Sequence, residues 1–402
     1  MTPPSISPRR SPHSVLRHPA PVPPLFSRAT CIRLLWSWAV VGLFFFFGAQ
    51  WLATPLTPWV AAAGFLLLFG TILGAAFGVV HEADHLAHRL GEPYGTLILT
   101  VSIVVIEVIL IASVLLGPGD HPTIGRDSIF AVMMIITNLV MGICLLVGGL
   151  RYGEQSFNAQ GTSIYVAMIV LLTGVSLILP NYTTGAGVFT WPQALFVSLM
   201  TAALYAAFLI MQMRGSRRLF IQPAPAEMTV PHTRYASRPA HRPDSSSGDA
   251  HKHEVLVRSA LLLAMVLPIV LLAHNLATVV NYGMTAVGAP VALGGVLIAI
   301  IVFTPESITA VRAVMNNEMQ RAINLCLGAF VSTVGLTVPA VLAIGLITGK
   351  QVTMGLPALE TVLLVVTMAV SMMSFNGQRT TAIQGLMHIT LFILFAFLLF
   401  FP

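Results

Sequence analysis

Residues 91–116 read GEPYGTLILTVSIVVIEVILIASVLL, and residues 303–341 read FTPESITAVRAVMNNEMQRAINLCLGAFVSTVGLTVPAV. Each stretch carries a glutamate, Glu107 or Glu306, inside an apolar run. A carboxylate at bilayer depth is costly and marks an ion or proton pathway. The rest of the chain makes the two stand out. Only 14 of 402 residues are acidic, 8% are charged and 56% are hydrophobic, and the mean hydropathy is +0.87. This balance excludes a soluble domain and predicts an all-α, polytopic membrane protein.

Apolar segments of spanning length, about 20 residues, fall at 31–52, 58–80, 95–117, 129–150, 163–180, 191–213, 257–280, 290–312, 322–348, 357–376 and 380–401. That is eleven helices. With a cytoplasmic N-terminus, only Arg126 and Lys350 of the 20 basic residues fall on the outer side, the asymmetry expected of a positive-inside topology. The prediction is a multi-pass protein of the inner (plasma) membrane with an extracytoplasmic C-terminus. The same asymmetry accounts for the net charge of +6 without a nucleic-acid partner. Cys31, Cys144 and Cys326 show neither a paired framework nor metal-knuckle spacing and read as packing residues.

The proline- and arginine-rich residues 1–30 read as a disordered cytoplasmic tail, and 31–56 as an extra N-terminal helix. A polar stretch rich in Pro, Ser, Arg and His, 214–256, reads as a cytoplasmic linker between two halves, 57–213 and 257–402. Five spans lie in each half, and an odd number inverts the second copy relative to the first. The halves align. Gly91-Glu92-Pro93 precedes Glu107 much as Gly288-Ala289-Pro290 precedes Glu306, and Arg126 and Arg321 are each followed eleven residues later by a polar pair, Thr137-Asn138 and Ser332-Thr333.

Inverted copies bring equivalent residues together at the bilayer midplane, so Glu107 and Glu306 are predicted to meet. Two carboxylates with neighbouring hydroxyl and carbonyl oxygens form a hard site suited to Ca²⁺. Pro305, inside Thr304-Pro305-Glu306, frees a backbone carbonyl as a further ligand. Without a cation, two poorly hydrated carboxylates this close hold protons instead. Cation and proton then compete, which is the basis of antiport. Thr137, Asn138, Thr304, Ser332 and Thr333 have two readings, as ligands or as the small polar residues that commonly line helix contacts in membranes.

A competing signal is His81-Glu82-Ala83-Asp84-His85, which matches the zinc-protease pattern H-E-x-x-H. An intramembrane protease also needs a further ligand, usually an aspartate from a later span, and after Asp127 the only aspartates are Asp244 and Asp249 in the linker. The motif reads first as a mixed-charge helix end. It reads next as a proton or cation access route through His81, Glu82, Asp84 and His85. The linker histidines His232, His241, His251 and His253 are irregularly spaced and read as part of a solvated tether.

The stretch from His81 to Leu116 and the stretch from Phe303 to Val341 closely resemble the paired repeats of bacterial calcium/proton antiporters of the cation/calcium exchanger superfamily. The resemblance spans nearly everything after the tail. It implies an exchanger fold of ten core helices plus one, with Glu107 and Glu306 at the acidic positions. Two departures are visible. Val104-Val105-Ile106 precedes Glu107 where the superfamily often has Gly, Asn or Ser-Pro, and the linker has a basic balance where bacterial relatives tend to be acidic. The function expected is export of Ca²⁺, with Na⁺ and K⁺ as further candidate cargo, in exchange for H⁺, with no enzymatic activity and no cofactor. A zinc protease built on His81 and His85, and a cation channel, are the alternatives from other classes.

Overall fold

The computed structural model describes residues 27–53, 56–90, 94–117, 121–213, 217–221, 248–377 and 379–402. Among these residues the chain forms eleven long helices. They are α1 Arg28–Trp51, α2 Pro58–Leu90, α3 Tyr94–Leu115, α4 Ile124–Tyr152, α5 Ala159–Tyr182, α6 Trp191–Met213, α7 Gly248–Val287, α8 Ala292–Met315, α9 Met319–Thr348, α10 Ala358–Ser374 and α11 Ala382–Phe400. Nine of them are long and apolar enough to cross a membrane, and α3 and α10 contain shorter apolar stretches. The protein is an all-α, multi-pass membrane protein.

Two boundaries differ most from those expected of the sequence. α2 runs to Leu90 rather than to residue 80, and α7 starts at Gly248, inside the stretch expected to be linker. Hydropathy detects the part of a helix that lies in hydrocarbon, whereas these ends are polar and are held by ion pairs. Residues 28–30 of the expected tail are already helical, because the Ser27 hydroxyl accepts the Thr30 amide at 3.0 Å and caps α1. Residues 1–26 of the tail and 222–247 of the linker lie outside the described residues.

The second five helices run opposite to the first. α2 and α7 are antiparallel, since Gly64 faces Val279 and Gly78 faces Met265. α4 and α9 are also antiparallel, since Gly125 faces Val341 and Cys144 touches Cys326. α4 packs on α8 and α11, and α9 packs on α3 and α6, an exchange that maps one half onto the other. The loops follow the same rule. Gln155–Ser156 (β1) pairs with Arg379–Thr380 (β2) at one face, joining the α4–α5 and α10–α11 loops. A Val188–Thr353 bridge joins the α5–α6 and α9–α10 loops at the other.

Glycine permits the closest crossings. A Cβ on Gly385 of α11 would lie 2.6 Å from the Gly142 carbonyl of α4, and one on Gly335 of α9 would lie 2.7 Å from the Tyr205 Cβ of α6. Lipid supplies no hydrophobic drive between helices, so close backbone packing of this kind holds the bundle. α1 stands outside the repeat. It presents Leu35, Phe45 and Phe46 outward and buries the stripe Ser37, Val40, Phe44 and Gly48. Its Trp36 and Trp38 indoles donate to the Thr71 hydroxyl of α2 and the Ala264 carbonyl of α7, each at 3.0 Å.

α4 and α9 are the most buried of the spans, and each contains a stretch of π-helix, Met134–Val140 and Thr333–Thr337, at places that overlap when the repeats are aligned; α5 has a further one at Gly174–Ile178. Pro339, just past the second, has no N–H for the Gly335 carbonyl, which favours the wider turn there. The π stretches of α4 and α9 each carry a residue of the polar pair singled out by the repeat.

Candidate functional site

Glu107 on α3 is fully buried and Glu306 on α8 is 8% exposed. They lie close enough for the charge of Glu107 to act on Glu306. The Thr333 hydroxyl, in the π stretch of α9, donates to Glu107 Oε2 at 3.0 Å. Thr337, one turn further on, faces the same carboxyl, and its Oγ1 has no other partner. One oxygen of each glutamate, Glu107 Oε1 and Glu306 Oε2, is buried without a hydrogen bond among the described residues. Such atoms are rare in folded proteins and call for an explanation.

Further hydroxyls stand on α8 and α9, and Thr304 and Ser307 of α8 line a groove against α4 and α11. Thr304 donates to the Ile300 carbonyl at 2.5 Å, Ser307 to Phe303 at 2.7 Å, and Ser332 to Ala329 at 2.6 Å. Spending the proton on its own helix leaves each hydroxyl oxygen with lone pairs free to accept or to ligate. Thr137 is built the same way, donating to the Met133 carbonyl at 2.5 Å. α8 remains helical through Pro305, whose missing N–H leaves the Ile301 carbonyl without its usual partner. Tyr205 of α6 sets its hydroxyl against Ser332 and Thr100.

Asn138 is not brought to the glutamates as a free ligand. Its amide donates to Thr367 Oγ1 at 2.9 Å and its Oδ1 faces His388 Nδ1 at 3.0 Å, a buried network joining α4, α10 and α11. By the repeat, Asn138 corresponds to Thr333, so the two halves use equivalent positions differently. Nothing in the sequence marks Thr367 and His388, because neither belongs to a recognisable motif. Thr337 could have been found, lying four residues after Thr333 on a polar stripe.

A cavity of about 730 Å³ reaches Glu306 from the face that carries the linker. His81 and Asp84 of α2, Thr309 and Arg312 of α8, Arg321 of α9 and Arg33 of α1 are among its lining residues. Glu107 does not line it. The polar motif at the end of α2 therefore splits. His81 and Asp84 face the cavity, and the His85 ring lies edge-on to that of His81 at 4.5 Å. Glu82 points the other way. Only 1% exposed, it pairs with Arg258 of α7 at 3.1 Å and accepts from Thr30 of α1 at 3.4 Å. Arg258 also holds Glu254 at 3.1 Å. The would-be zinc-protease base is thus committed to a buried ion pair. Among the described residues no three His, Cys, Asp or Glu side chains are placed to hold a metal ion.

The profile described as "Sodium/calcium exchanger protein" matches residues 60–214 and again 258–401. The sodium-potassium/proton antiporter ChaA of Escherichia coli (strain K12) is 37% identical over 354 residues, covering 85% of this chain and 90% of that protein. Among solved structures, native YfkE superposes with a TM-score of 0.68 at 17% identity, covering 92% of this chain and 100% of that one. The H⁺/Ca²⁺ exchanger CAX gives 0.65 at 14% identity, with 92% and 89% covered. These two likenesses concern the fold. The two matched segments together make up most of the chain, and the protein belongs to the sodium/calcium exchanger protein family.

Proposed function

We propose that this protein is a secondary antiporter that exchanges a cytoplasmic cation for protons at a site built on Glu107 and Glu306. The observation that carries this reading is the pair itself: two buried carboxyls from inverted repeats, within each other's field, each with an unpartnered oxygen. A cation arriving between them satisfies those oxygens and displaces protons. When it leaves, protons return, because two bare carboxylates in low dielectric repel each other and lack hydration. Thr333, which already touches Glu107, contributes a hydroxyl oxygen as a supplementary ligand, and Thr137, Thr304 and Ser332 are candidates for the same role.

The cargo expected from an all-oxygen site is Ca²⁺. The relative described as a sodium-potassium/proton antiporter adds Na⁺ and K⁺ to the series, as does the excess of arginine over acid around the cavity, which repels a divalent ion about twice as strongly as a monovalent one. In the bacterial inner membrane, with the linker and N-terminus cytoplasmic, the cavity at Glu306 opens to the cytoplasm. His81 and Asp84 stand along this route and serve as its polar lining, while Glu82 serves the helix end. Exchange of conformation between the two halves closes this cavity and opens its counterpart toward Glu107, an alternating access that the inverted fold makes available.

Everted membrane vesicles with an imposed proton gradient and a fluorescent pH readout test the reading. Addition of K⁺, Na⁺ or Ca²⁺ should release the stored protons, and the proton gradient should drive the cation inward against its own gradient, which a channel cannot do. Glu107→Gln and Glu306→Gln should each abolish release while the protein remains inserted, because each removes a group that alternates between charge states and leaves volume unchanged. Full exchange in either variant refutes the site.

A further inference from the structure

Arg312 lines two spaces at once: the cavity that reaches Glu306 and, on its other side, an apolar groove of about 480 Å³. The groove is walled by Ile135, Leu139 and Ile143 of α4, by α8 from Val296 to Arg312, and by Phe392 of α11. At 1.5 Å per residue that run of α8 is about 24 Å long, more than the ~15 Å hydrocarbon depth of one leaflet. Its wall is apolar except for Thr304 and Ser307, whose protons are spent on their own helix, and for Arg312 at the linker-side end. A second guanidinium stands at the same end of the bundle, where α4 and α8 meet. Arg151, at the end of α4, lies 5.5 Å over the Tyr152 ring, and the Tyr152 hydroxyl donates to the Met315 carbonyl at the end of α8 at 2.6 Å. Among the described residues, neither Arg312 nor Arg151 has an acidic partner, whereas Arg126, Arg258, Arg321 and Arg379 each do.

We propose that this groove holds an anionic phospholipid of the linker-side leaflet, with an acyl chain laid along α8 between α4 and α11 and the phosphate between Arg312 and Arg151. Basic pockets between membrane helices hold anionic headgroups, each Lys or Arg contributing about 1 kcal/mol, and guanidinium suits a phosphate through paired hydrogen bonds. The chain fills a seam whose wall includes Thr304 and Ser307, the residues on either side of Pro305-Glu306. The lipid thereby braces the face of α8 that carries one of the two buried glutamates.

The test reads lipid binding and does not depend on which cation the protein moves. Purified protein in detergent receives equal amounts of phosphatidylglycerol and phosphatidylcholine, and native mass spectrometry counts the lipid retained. Wild type should retain phosphatidylglycerol preferentially. Arg312→Gln should lower that retention about five-fold, the equivalent of about 1 kcal/mol, and adding Arg151→Gln should lower it again. Arg379→Gln, which removes an exposed ion pair with Glu154 on the same face, should leave retention unchanged. Ile300→Trp, which fills the groove without altering charge, should also release the lipid, and it serves as the test if Arg312→Gln cannot be purified. Equal retention of the two lipids by wild type overturns the proposal. So does retention insensitive to both arginines, or an equal loss in Arg379→Gln.

Discussion

Breaking the ion pair between Glu82 and Arg258 should destabilise the protein from either side, but only one of the two variants should respond to pH. The charged atoms are 3.1 Å apart and the side chains are 2% and 3% exposed, so the gross attraction is about 5 kcal/mol at an effective dielectric of ~20. Desolvation consumes much of this, and removing one partner of such a pair costs about 3–5 kcal/mol. Glu82→Gln falls at the low end, about 3 kcal/mol, because Arg258 keeps Glu254. Arg258→Met strands Glu82 with only the Thr30 hydroxyl at 3.4 Å. The stranded carboxylate folds by taking a proton, which for an ordinary glutamate costs about 4 kcal/mol at pH 7.5 and about 1.5 at pH 5.5. The folded variant then binds one proton more than its unfolded chain, so its stability rises as pH falls. Arginine cannot lose its proton in this range, so the Glu82→Gln penalty is flat with pH. The double variant should recover most of the loss, since an uncharged pair of similar volume is often neutral. Unfolding titrations in mixed micelles at the two pH values measure all four proteins. Wild-type stability of Arg258→Met at pH 7.5, or a deficit that grows on acidification, would refute the buried pair. If Glu82 were instead a catalytic base, Glu82→Gln would be fully stable and would lose a proteolytic activity.

Two further outcomes follow from the packing and from the cavity. Gly385→Ala should fail to assemble or lose more than about 3 kcal/mol, because the new methyl would meet the Leu146 amide and the Gly142 carbonyl; thermal stability in detergent checks this, and wild-type stability would contradict the α4–α11 crossing. In a cysteine-free background, Thr309→Cys, which lines the cavity, should react with a charged thiol reagent applied from the linker side, whereas Ile106→Cys, 2% exposed beside Glu107, should not. Equal labelling would mean that access is not one-sided.

Much of the scaffold is legible in the sequence because each span must carry its own apolar run, and hydropathy therefore places all eleven helices. The inversion is legible too, since an odd number of spans per half leaves no other arrangement. The reading is poorest where structure depends on pairing between distant residues. Arg258 lies 176 positions after Glu82, and nothing local shows that their contact extends α2 to Leu90 and starts α7 at Gly248. The two glutamates stand out because charge is rare at their depth. Thr367 and His388 do not, because an isolated polar residue in a span reads as packing until its partner is known. The π stretches of α4 and α9 also escaped. Pro339 hints at one of them, but nothing in Met134–Val140 marks the other.

The equivalence of Thr333 and Asn138 is where symmetry of sequence and of side-chain role separate, and the two can be told apart. Thr333→Val removes the hydroxyl that hydrogen-bonds Glu107 Oε2 at 3.0 Å and leaves the buried carboxyl with only Thr337 facing it among the described residues. A protonated carboxyl tolerates this better than a charged one, so the variant should hold its proton more tightly. Its exchange should need a higher pH or more cation, with a stability loss within the 1–3 kcal/mol of an unsatisfied group. Asn138→Leu has the reverse signature. It leaves the Thr367 hydroxyl and His388 Nδ1 without their partner in a dry site, at about 1–3 kcal/mol for each stranded group. Exchange per folded molecule should keep its wild-type pH profile, because Asn138 does not touch either glutamate. Proton release measured against pH in everted vesicles, normalised to folded protein, separates the two. An acid or alkaline shift in Asn138→Leu equal to that of Thr333→Val would show that the repeat's symmetry reaches the chemistry after all, with Asn138 acting on Glu306 in a state other than the one described.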